Sequence, residues 1–307
     1  MRDIDMMTRR GLFGWLSGLG FLFYRPTQAF AQNRLPARTI PASGETLPVI
    51  GLGSSKAVSR IPADGTDSLA AVLRMLVNYG GQLVDTTPYS EENEGPFGQI
   101  LSAPDLRDEL FVALKINTMD EQIGIRQVRQ AQRLFDRETF DLIQVMSLRG
   151  LDVHWPNVKE WKETGEARYI GATVSNYEDY GDLESFMNTE ALDFIQVNYS
   201  VIETLAEERI LPLAQDLGIA VIINGPFMNG DYFGLVNNQT LPEWTADFDC
   251  ASWAQFSLKY ILAHPAVTSV LTETTNPQHM QENIASAFGR LPNESERQRM
   301  NTLARSL

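Results

Sequence analysis

Short apolar runs alternate with amphipathic stretches from Pro48 to the end of the chain. Several runs are apolar at consecutive positions, which is typical of strands that are buried on both faces of a parallel sheet. No stretch rich in serine, glycine or charge interrupts the alternation. The pattern predicts eight strands, at residues 49–52, 82–85, 111–115, 142–146, 168–172, 194–198, 220–223 and 268–271.

Between the strands, apolar residues recur at helical spacing. Residues 68–78 show this with Leu69, Val72, Leu73 and Leu76, and residues 206–217 and 251–263 do likewise. Eight strand-then-helix units predict an α/β chain folded as a (β/α)₈ TIM barrel, in which chemistry sits at the C-terminal ends of the strands. An open doubly wound sheet is the alternative, but the chain carries no Gly-x-Gly-x-x-Gly sequence after a strand.

A turn precedes the first barrel strand. Ser43-Gly44 separates two extended stretches within residues 38–48, which predicts a β-hairpin. We expect this hairpin to cap the bottom of the barrel, at the end where no catalysis is required.

Composition sets the size of the domain and its range of ligands. A chain of 307 residues, 43% hydrophobic and 21% charged, can bury one large core, and we expect a single domain over residues 35–307. The net charge of −14 argues against nucleic acid and anionic membranes as partners, so a small molecule is expected. The lone cysteine, Cys250, excludes an internal disulfide and multi-cysteine metal motifs, and no metal site is predicted.

The N-terminus has the pattern of an export signal. Arg9 and Arg10 precede the apolar run 11–24, and Ala29-Phe30-Ala31 provides a small-x-small cleavage site, which predicts a signal peptide at residues 1–31. Adjacent arginines resemble a twin-arginine signal, which addresses proteins that are exported already folded. We therefore expect a periplasmic or otherwise exported protein that meets the export machinery for folded proteins and has no stable membrane insertion after cleavage. An uncleaved, membrane-anchoring segment is the alternative.

Seven motifs then suggest a family. They are PVIGLGSS, LVDTTPY, FVALKIN, DLIQV, GEARYIGAT, DFIQVNYS and NPQHMQEN, in that order. From about Arg38 to about Ala287 the chain resembles the aldo-keto reductases, and within them the exported bacterial members with twin-arginine signals. The resemblance implies reduction of a small-molecule carbonyl compound by hydride transfer from a nicotinamide cofactor, usually NADPH. It also implies a catalytic Asp, Tyr, Lys and His.

Two of these four residues match the family pattern directly. Asp85 ends the second predicted barrel strand and Lys115 ends the third, so we expect an ion pair between them. The family's Tyr follows the Asp by five residues, whereas Tyr89 follows Asp85 by four and Ser90 holds the fifth position. Either Tyr89 still points inward, where an ammonium would lower its pKa from about 10, or Ser90 replaces it.

The position of the family's catalytic histidine differs more strongly from the family pattern. Met146 stands there, and a thioether donates no hydrogen bond to a carbonyl group. His154 lies near the same strand end, but we interpret it as a loop residue. These departures leave two functions open. The chain is an oxidoreductase with a degenerate catalytic set, or a barrel that has lost catalysis and acts as a periplasmic ligand-binding or sensory protein.

The resemblance also implies cofactor contacts. Gln196 corresponds to a residue that holds the nicotinamide carboxamide, Tyr199 to the ring stacked under the nicotinamide, and Thr173 to the serine of a Ser-Asn pair whose second position here is Val174. The loop containing Gly225 corresponds to the one that meets the pyrophosphate, because glycine permits close approach.

The last strand is followed by residues that bear on the choice of cofactor. Relatives carry Arg or Lys at the position of Asn276, where a cation pairs with the 2′-phosphate of NADPH. Asn276 is neutral and Glu273 is negative, which weakens the expectation of NADP and leaves NAD open. Glu282 and Asn283 correspond to a pair that contacts the adenine end.

Overall fold

Eight parallel strands close into a barrel in the computed structural model, which describes residues 34–307. A two-stranded antiparallel hairpin, β1 (Ala37–Thr39) and β2 (Thr46–Pro48), precedes them. The barrel strands are β3 (Ile50–Gly53), β4 (Leu83–Asp85), β5 (Phe111–Ile116), β6 (Phe140–Met146), β7 (Ala167–Val174), β8 (Phe194–Asn198), β9 (Ala220–Asn224) and β10 (Val267–Thr272). The predicted (β/α)₈ fold is confirmed, and each strand boundary lies within two residues of its prediction.

Helices surround the barrel. They are α1 (Ser55–Ser59), α2 (Ile61–Asp64), α3 (Asp67–Asn78), α4 (Glu91–Leu101), α5 (Glu121–Phe135), α6 (Leu151–Thr164), α7 (Tyr180–Thr189), α8 (Ile210–Leu217), α9 (Asp231–Leu235), α10 (Trp253–Leu262), α11 (Pro277–Ala285) and α12 (Glu294–Ala304). The helix predicted at 206–217 begins only at Ile210. Pro212 explains this, because a proline is tolerated in the first turn of a helix but not in its interior.

The first and last strands meet to close the barrel. Val270 of β10 pairs with Ile50 of β3, and the order around the barrel is otherwise the order along the chain. All C-terminal strand ends therefore open at one rim, which is where sites of this fold form.

The hairpin closes the opposite end, as predicted. Its Ile40 and Leu47 are buried against the aromatic side chains of the barrel interior, Phe111, Tyr169 and Phe194. The Tyr169 hydroxyl also lies 2.6 Å from Ser43 Oγ. The interior below the site is therefore a packed apolar plug, and the rim is the end accessible to a ligand.

The sequence also predicted a signal peptide and no stable membrane insertion after its cleavage. The predicted signal peptide, residues 1–31, lies outside the described residues. Within residues 34–307, which form one compact unit, no helix is both long and apolar enough to cross a membrane.

Two glycines of α4 give a test of how tightly the outer helices pack. A Cβ on Gly98 would lie 2.0 Å from the carbonyl oxygen of Leu134 in α5, whereas a Cβ on Gly95 meets nothing within 4 Å. We predict that Gly98→Ala lowers the free energy of unfolding by about 1–3 kcal/mol through overpacking. Gly95→Ala should raise it by up to about 1 kcal/mol, because alanine favours the helix.

Urea unfolding of both variants, followed by far-UV circular dichroism, measures the difference. Equal effects of the two substitutions would contradict close contact between α4 and α5 at Gly98.

Candidate active site

The strand ends bring Asp85 and Lys115 together at the floor of the rim. Asp85 is the last residue of β4, and Lys115 is the fifth of the neighbouring β5. Their side chains form an ion pair and are only 4% and 5% exposed. The expected pair is therefore present, and it is almost fully desolvated.

Two amides complete the floor. Gln144 of β6 donates from Nε2 to Gln196 Oε1 at 3.2 Å and approaches Asp85 Oδ1 at 3.5 Å. Burial raises the pKa of Asp85, while Lys115 and both amides oppose that rise by stabilising the carboxylate. Sequence reasoning missed Gln144, although an amide in the apolar run FDLIQVM was a signal that this position faces a polar interior.

Tyr89 is held away from this pair. Its hydroxyl donates to the carbonyl oxygen of Ser55 at 2.7 Å, and its backbone N–H donates to Glu94 Oε1 at 2.8 Å. Gln130 Nε2 donates to the Tyr89 carbonyl oxygen at 3.1 Å. Among the hydrogen bonds of residues 34–307, none joins Tyr89 to Lys115. The structure therefore does not bring the phenol into the expected catalytic arrangement.

The environment also makes this phenol a weaker acid. Burial raises the pKa of Tyr89, the bond to the Ser55 carbonyl oxygen lowers it by less, and the charge of Glu273 adds a still smaller rise. Ser90 does not substitute for it. Ser90 is exposed at the start of α4, where its Oγ donates to Asn93 Oδ1 at 2.7 Å.

Met146 reaches the floor, and His154 does not. Met146 ends β6 and lines the cavity, with the Thr87 hydroxyl 3.5 Å from its sulfur. The interpretation of His154 as a loop residue is wrong, because His154 lies in α6 and is buried. Its Nε2 is 2.9 Å from the carbonyl oxygen of Thr118. Within the described chain, the structure brings no histidine to the position that Met146 occupies.

A cavity of about 870 Å³ opens above this floor. Thr173 and Gln196, both expected to contact a cofactor, line it together with Gly225. Gly225 has φ +61°, a left-handed conformation that glycine adopts at no steric cost. Asn224 also lines the cavity, and its Oδ1 is buried without a partner within residues 34–307. An N–H group of a ligand would satisfy that oxygen.

Tyr199 corrects an expectation. We expected its ring to stack under the nicotinamide, but it is fully buried in the core, outside the cavity lining. Side chains alternate along β8, so Gln196 and Asn198 face the cavity and Tyr199 faces outward. There its hydroxyl bonds to Glu207 and accepts from Arg297 at 2.6 Å.

The three residues expected at the adenine end lie on or beside α11, outside the cavity lining. Asn276 caps this helix by accepting from the Gln278 N–H at 2.9 Å, and Asn283 is buried in it next to the half-buried Glu282. The cavity edge near them instead carries Glu273, whose Oε1 accepts the backbone N–H of Lys56 at 2.6 Å. Lys56 was missed by sequence reasoning because nothing in its local sequence marks it.

The Aldo/keto reductase family model matches residues 49–300, which is most of the chain. The chain belongs to the aldo/keto reductase family. It is similar to the NADH-specific methylglyoxal reductase of Escherichia coli, with 24% identity over 67% of this chain and 78% of that protein. It is also similar to L-galactose dehydrogenase of Arabidopsis thaliana, with 22% identity over 83% and 88% of the two chains.

Solved structures of aldo-keto reductases share the fold. The holo form of one from Bacillus halodurans superposes with a TM-score of 0.71 at 20% identity, covering 89% of this chain and 98% of that one. One from Klebsiella pneumoniae, solved in complex with NADP and acetate, gives 0.66 at 17% identity, covering 85% and 93%.

The site of this aldo-keto reductase fits part of a nicotinamide dinucleotide. The unpartnered Asn224 Oδ1 and the Thr173 hydroxyl are suited to a carboxamide, and the loop from Gly225 to Gly230, with Lys56 beside it, is suited to a pyrophosphate. The cavity lining holds two cationic side chains and no arginine: Lys115 is paired with Asp85, and Lys56 lies beside the Gly225–Gly230 loop. Within residues 34–307, no cluster of three His, Cys, Asp or Glu side chains could hold a metal ion.

The buried ion pair generates a prediction about stability and pH. Lys115→Met removes the ammonium that opposes the effect of burial, so the folded-state pKa of Asp85 should rise further above its unfolded value of about 3.9. Stability is then fully present below that value and is lost as pH rises towards the folded-state pKa, by about 1.4 kcal/mol per pH unit.

The matched control is Lys115→Met combined with Asp85→Asn, which has no carboxyl group at this position. Guanidinium unfolding between pH 4 and 8 should show the single variant losing stability relative to the double variant as pH rises. A constant difference over that range would show that burial does not control the carboxyl of Asp85.

Proposed function

We propose that this protein is an NADH-preferring carbonyl reductase in which Lys115, rather than a tyrosine, gives the proton to the carbonyl oxygen. The observation that carries this proposal is the position of the Lys115 ammonium. It lines the floor of the cavity and is fixed by Asp85, while the phenol of Tyr89 is bonded to Ser55. Membership of the aldo/keto reductase family supports the reaction class.

The residues divide the work as follows. A bound nicotinamide cofactor supplies the hydride that adds to the carbonyl carbon. Lys115 Nζ donates a hydrogen bond to the carbonyl oxygen, polarises the C=O bond and transfers a proton as negative charge develops there. Asp85 holds the ammonium in place, and the amides of Gln144 and Gln196 hold Asp85. The neutral amine left on Lys115 regains a proton from solvent through the open cavity.

The preference for NADH rests on charge at the cavity edge. Asn276 caps α11 and carries no charge, and Glu273 lines the cavity beside it. A 2′-phosphate near Glu273 would be repelled and would find no guanidinium to pair with. The similar protein of Escherichia coli is named NADH-specific, which agrees with this proposal.

Cofactor binding is the first test. Quenching of tryptophan fluorescence on titration should show NADH binding at least about tenfold more tightly than NADPH, which corresponds to about 1.4 kcal/mol. Glu273→Gln should reduce the difference in affinity between NADH and NADPH, because it removes the negative charge near the 2′-phosphate. Tighter binding of NADPH, or binding of neither cofactor to the folded protein, would contradict the proposal.

Single-turnover oxidation of NADH with methylglyoxal tests the proton donor. Lys115→Arg keeps a cation for Asp85 but cannot give up a proton, and it should lower the rate by about a hundredfold or more. Tyr89→Phe is the matched control and should change the rate by less than about twofold, because its hydroxyl serves Ser55. A large loss in Tyr89→Phe with an active Lys115→Arg would return the role to the phenol.

A second function has its own support. Met146 and the displaced Tyr89 together remove two groups that relatives use for proton transfer and carbonyl orientation. A barrel that binds its ligand without turnover, as an exported ligand-binding or sensory protein, fits those two observations. Tight binding of cofactor or carbonyl compound without any single-turnover oxidation would favour this function.

A further inference from the structure

A methionine side chain lies in the layer above the buried ion pair. Lys115 of β5 lies opposite Gln144 of β6, and Met146 is two residues further along β6. Because side chains alternate along a strand, Gln144 and Met146 point to the same face, towards the barrel interior. Gln144 reaches Asp85 there, and the half-buried Met146 lines the cavity. The thioether therefore lies beside the place where a substrate carbonyl group meets the ammonium of Lys115.

A hydroxyl group is directed at this thioether. Thr87 Oγ1 lies 3.5 Å from Met146 Sδ, and within residues 34–307 this is the only hydrogen bond of the hydroxyl. Thr87 is also buried. A thioether is a weak acceptor, so this buried donor is poorly satisfied. An oxygen atom bonded to the sulfur would provide the strong acceptor that the hydroxyl lacks.

Lys115 is the second donor that such an oxygen would meet. Its ammonium group has three N–H donors, and one of them serves Asp85. The proposed reduction needs another for the carbonyl oxygen of the substrate. Oxidation of a methionine converts an apolar side chain into a polar one. A sulfoxide oxygen at Met146 would therefore compete with the substrate for the same donor.

Other sulfur atoms in the described chain differ from Met146 in access or in position. Met187 and Met280 are 2% and 0% exposed, so an oxidant in solution does not reach them. Met119 is 70% exposed, but it lies in the loop after β5, outside the cavity lining. Burial raises the pKa of the Cys250 thiol to about 11, which leaves little of the reactive thiolate.

We propose that Met146 is an oxidation site that switches off reduction at this floor. Hydrogen peroxide transfers one oxygen atom to the sulfur: the O–O bond breaks, an S–O bond forms, two electrons pass from sulfur to the peroxide, and water leaves. The sulfoxide oxygen then accepts hydrogen bonds from the Thr87 hydroxyl and from Lys115 Nζ, in place of the substrate. The loss of turnover rests on the proposed function, whereas the oxidation of the side chain does not.

Peptide mass mapping tests the oxidation site without turnover. The full-length folded protein is treated with hydrogen peroxide, the excess is removed with catalase, and sulfoxide is quantified at each methionine over time. We expect Met146 to be oxidised at least about tenfold faster than Met187 and Met280, and within about tenfold of Met119, because access controls the rate. Oxidation of Met146 as slow as that of the two buried methionines would overturn the proposal.

Single-turnover oxidation of NADH at subsaturating methylglyoxal measures the consequence. Conversion of Met146 to its sulfoxide should lower the rate by about tenfold, the effect of losing one hydrogen bond to a charged group. Met146→Leu has a similar volume and no sulfur, and the same treatment should leave its own starting rate unchanged.

Two other methionines provide matched controls for this measurement. Met119→Leu removes an exposed sulfur away from the cavity, and Met228→Leu removes the sulfur that lines it on the Gly225–Gly230 loop. Both variants should lose as large a fraction of their rate to peroxide as the unchanged protein. Sensitivity that persists in Met146→Leu, or that disappears in Met228→Leu, would contradict the assignment to Met146.

The two measurements separate this inference from the proposed function. Rapid oxidation of Met146 in a protein that never oxidises NADH would contradict the reductase together with its switch, and would retain only the oxidation site. Complete oxidation of Met146 without a change in rate would retain the reductase and contradict the switch.

Discussion

The buried ion pair between Asp85 and Lys115 is the interaction on which the site depends. Neighbouring parallel strands place both side chains at the same end of the barrel, and almost complete burial makes each charge dependent on the other. Removing one partner from such a pair costs about 3–5 kcal/mol, because the remaining charge has no water to solvate it. The floor therefore tolerates little change, and variation between members of the fold falls on the loops above it.

Tyr89 shows how one position in a loop changes the chemistry above a fixed floor. The turn after β4 is held by Glu94, whose buried carboxylate accepts the Tyr89 N–H, and by Gln130, which bonds to both Glu94 and the Tyr89 carbonyl oxygen. The backbone N–H, the carbonyl oxygen and the hydroxyl of Tyr89 are therefore all hydrogen-bonded. A rotation of the phenol towards Lys115 would have to break its bond to the carbonyl oxygen of Ser55.

Residues inside strands were predictable, and those beyond strand ends were not. Short apolar runs identified the barrel strands, and Asp85 and Lys115 followed because they end two of the predicted strands. The prediction for Tyr199 was wrong because the alternation of side chains along β8 turns this residue outward, towards Glu207 and Arg297. Arg297 is 98 positions away in the sequence, so a local pattern could not reveal this contact. Lys56 reaches the cavity through the way the short helix α1 follows β3, which local sequence patterns do not determine.

The floor of the cavity presents one ammonium group, that of Lys115. The resemblance to the family implies a phenol and an imidazole at the carbonyl oxygen, and neither group lies at this floor within residues 34–307. A single ammonium can polarise a carbonyl oxygen but constrains its direction poorly, because its three donors rotate about one carbon stem. Here that freedom is restricted from the protein side, because the amides of Gln144 and Gln196 hold the Asp85 carboxylate to which the ammonium is paired.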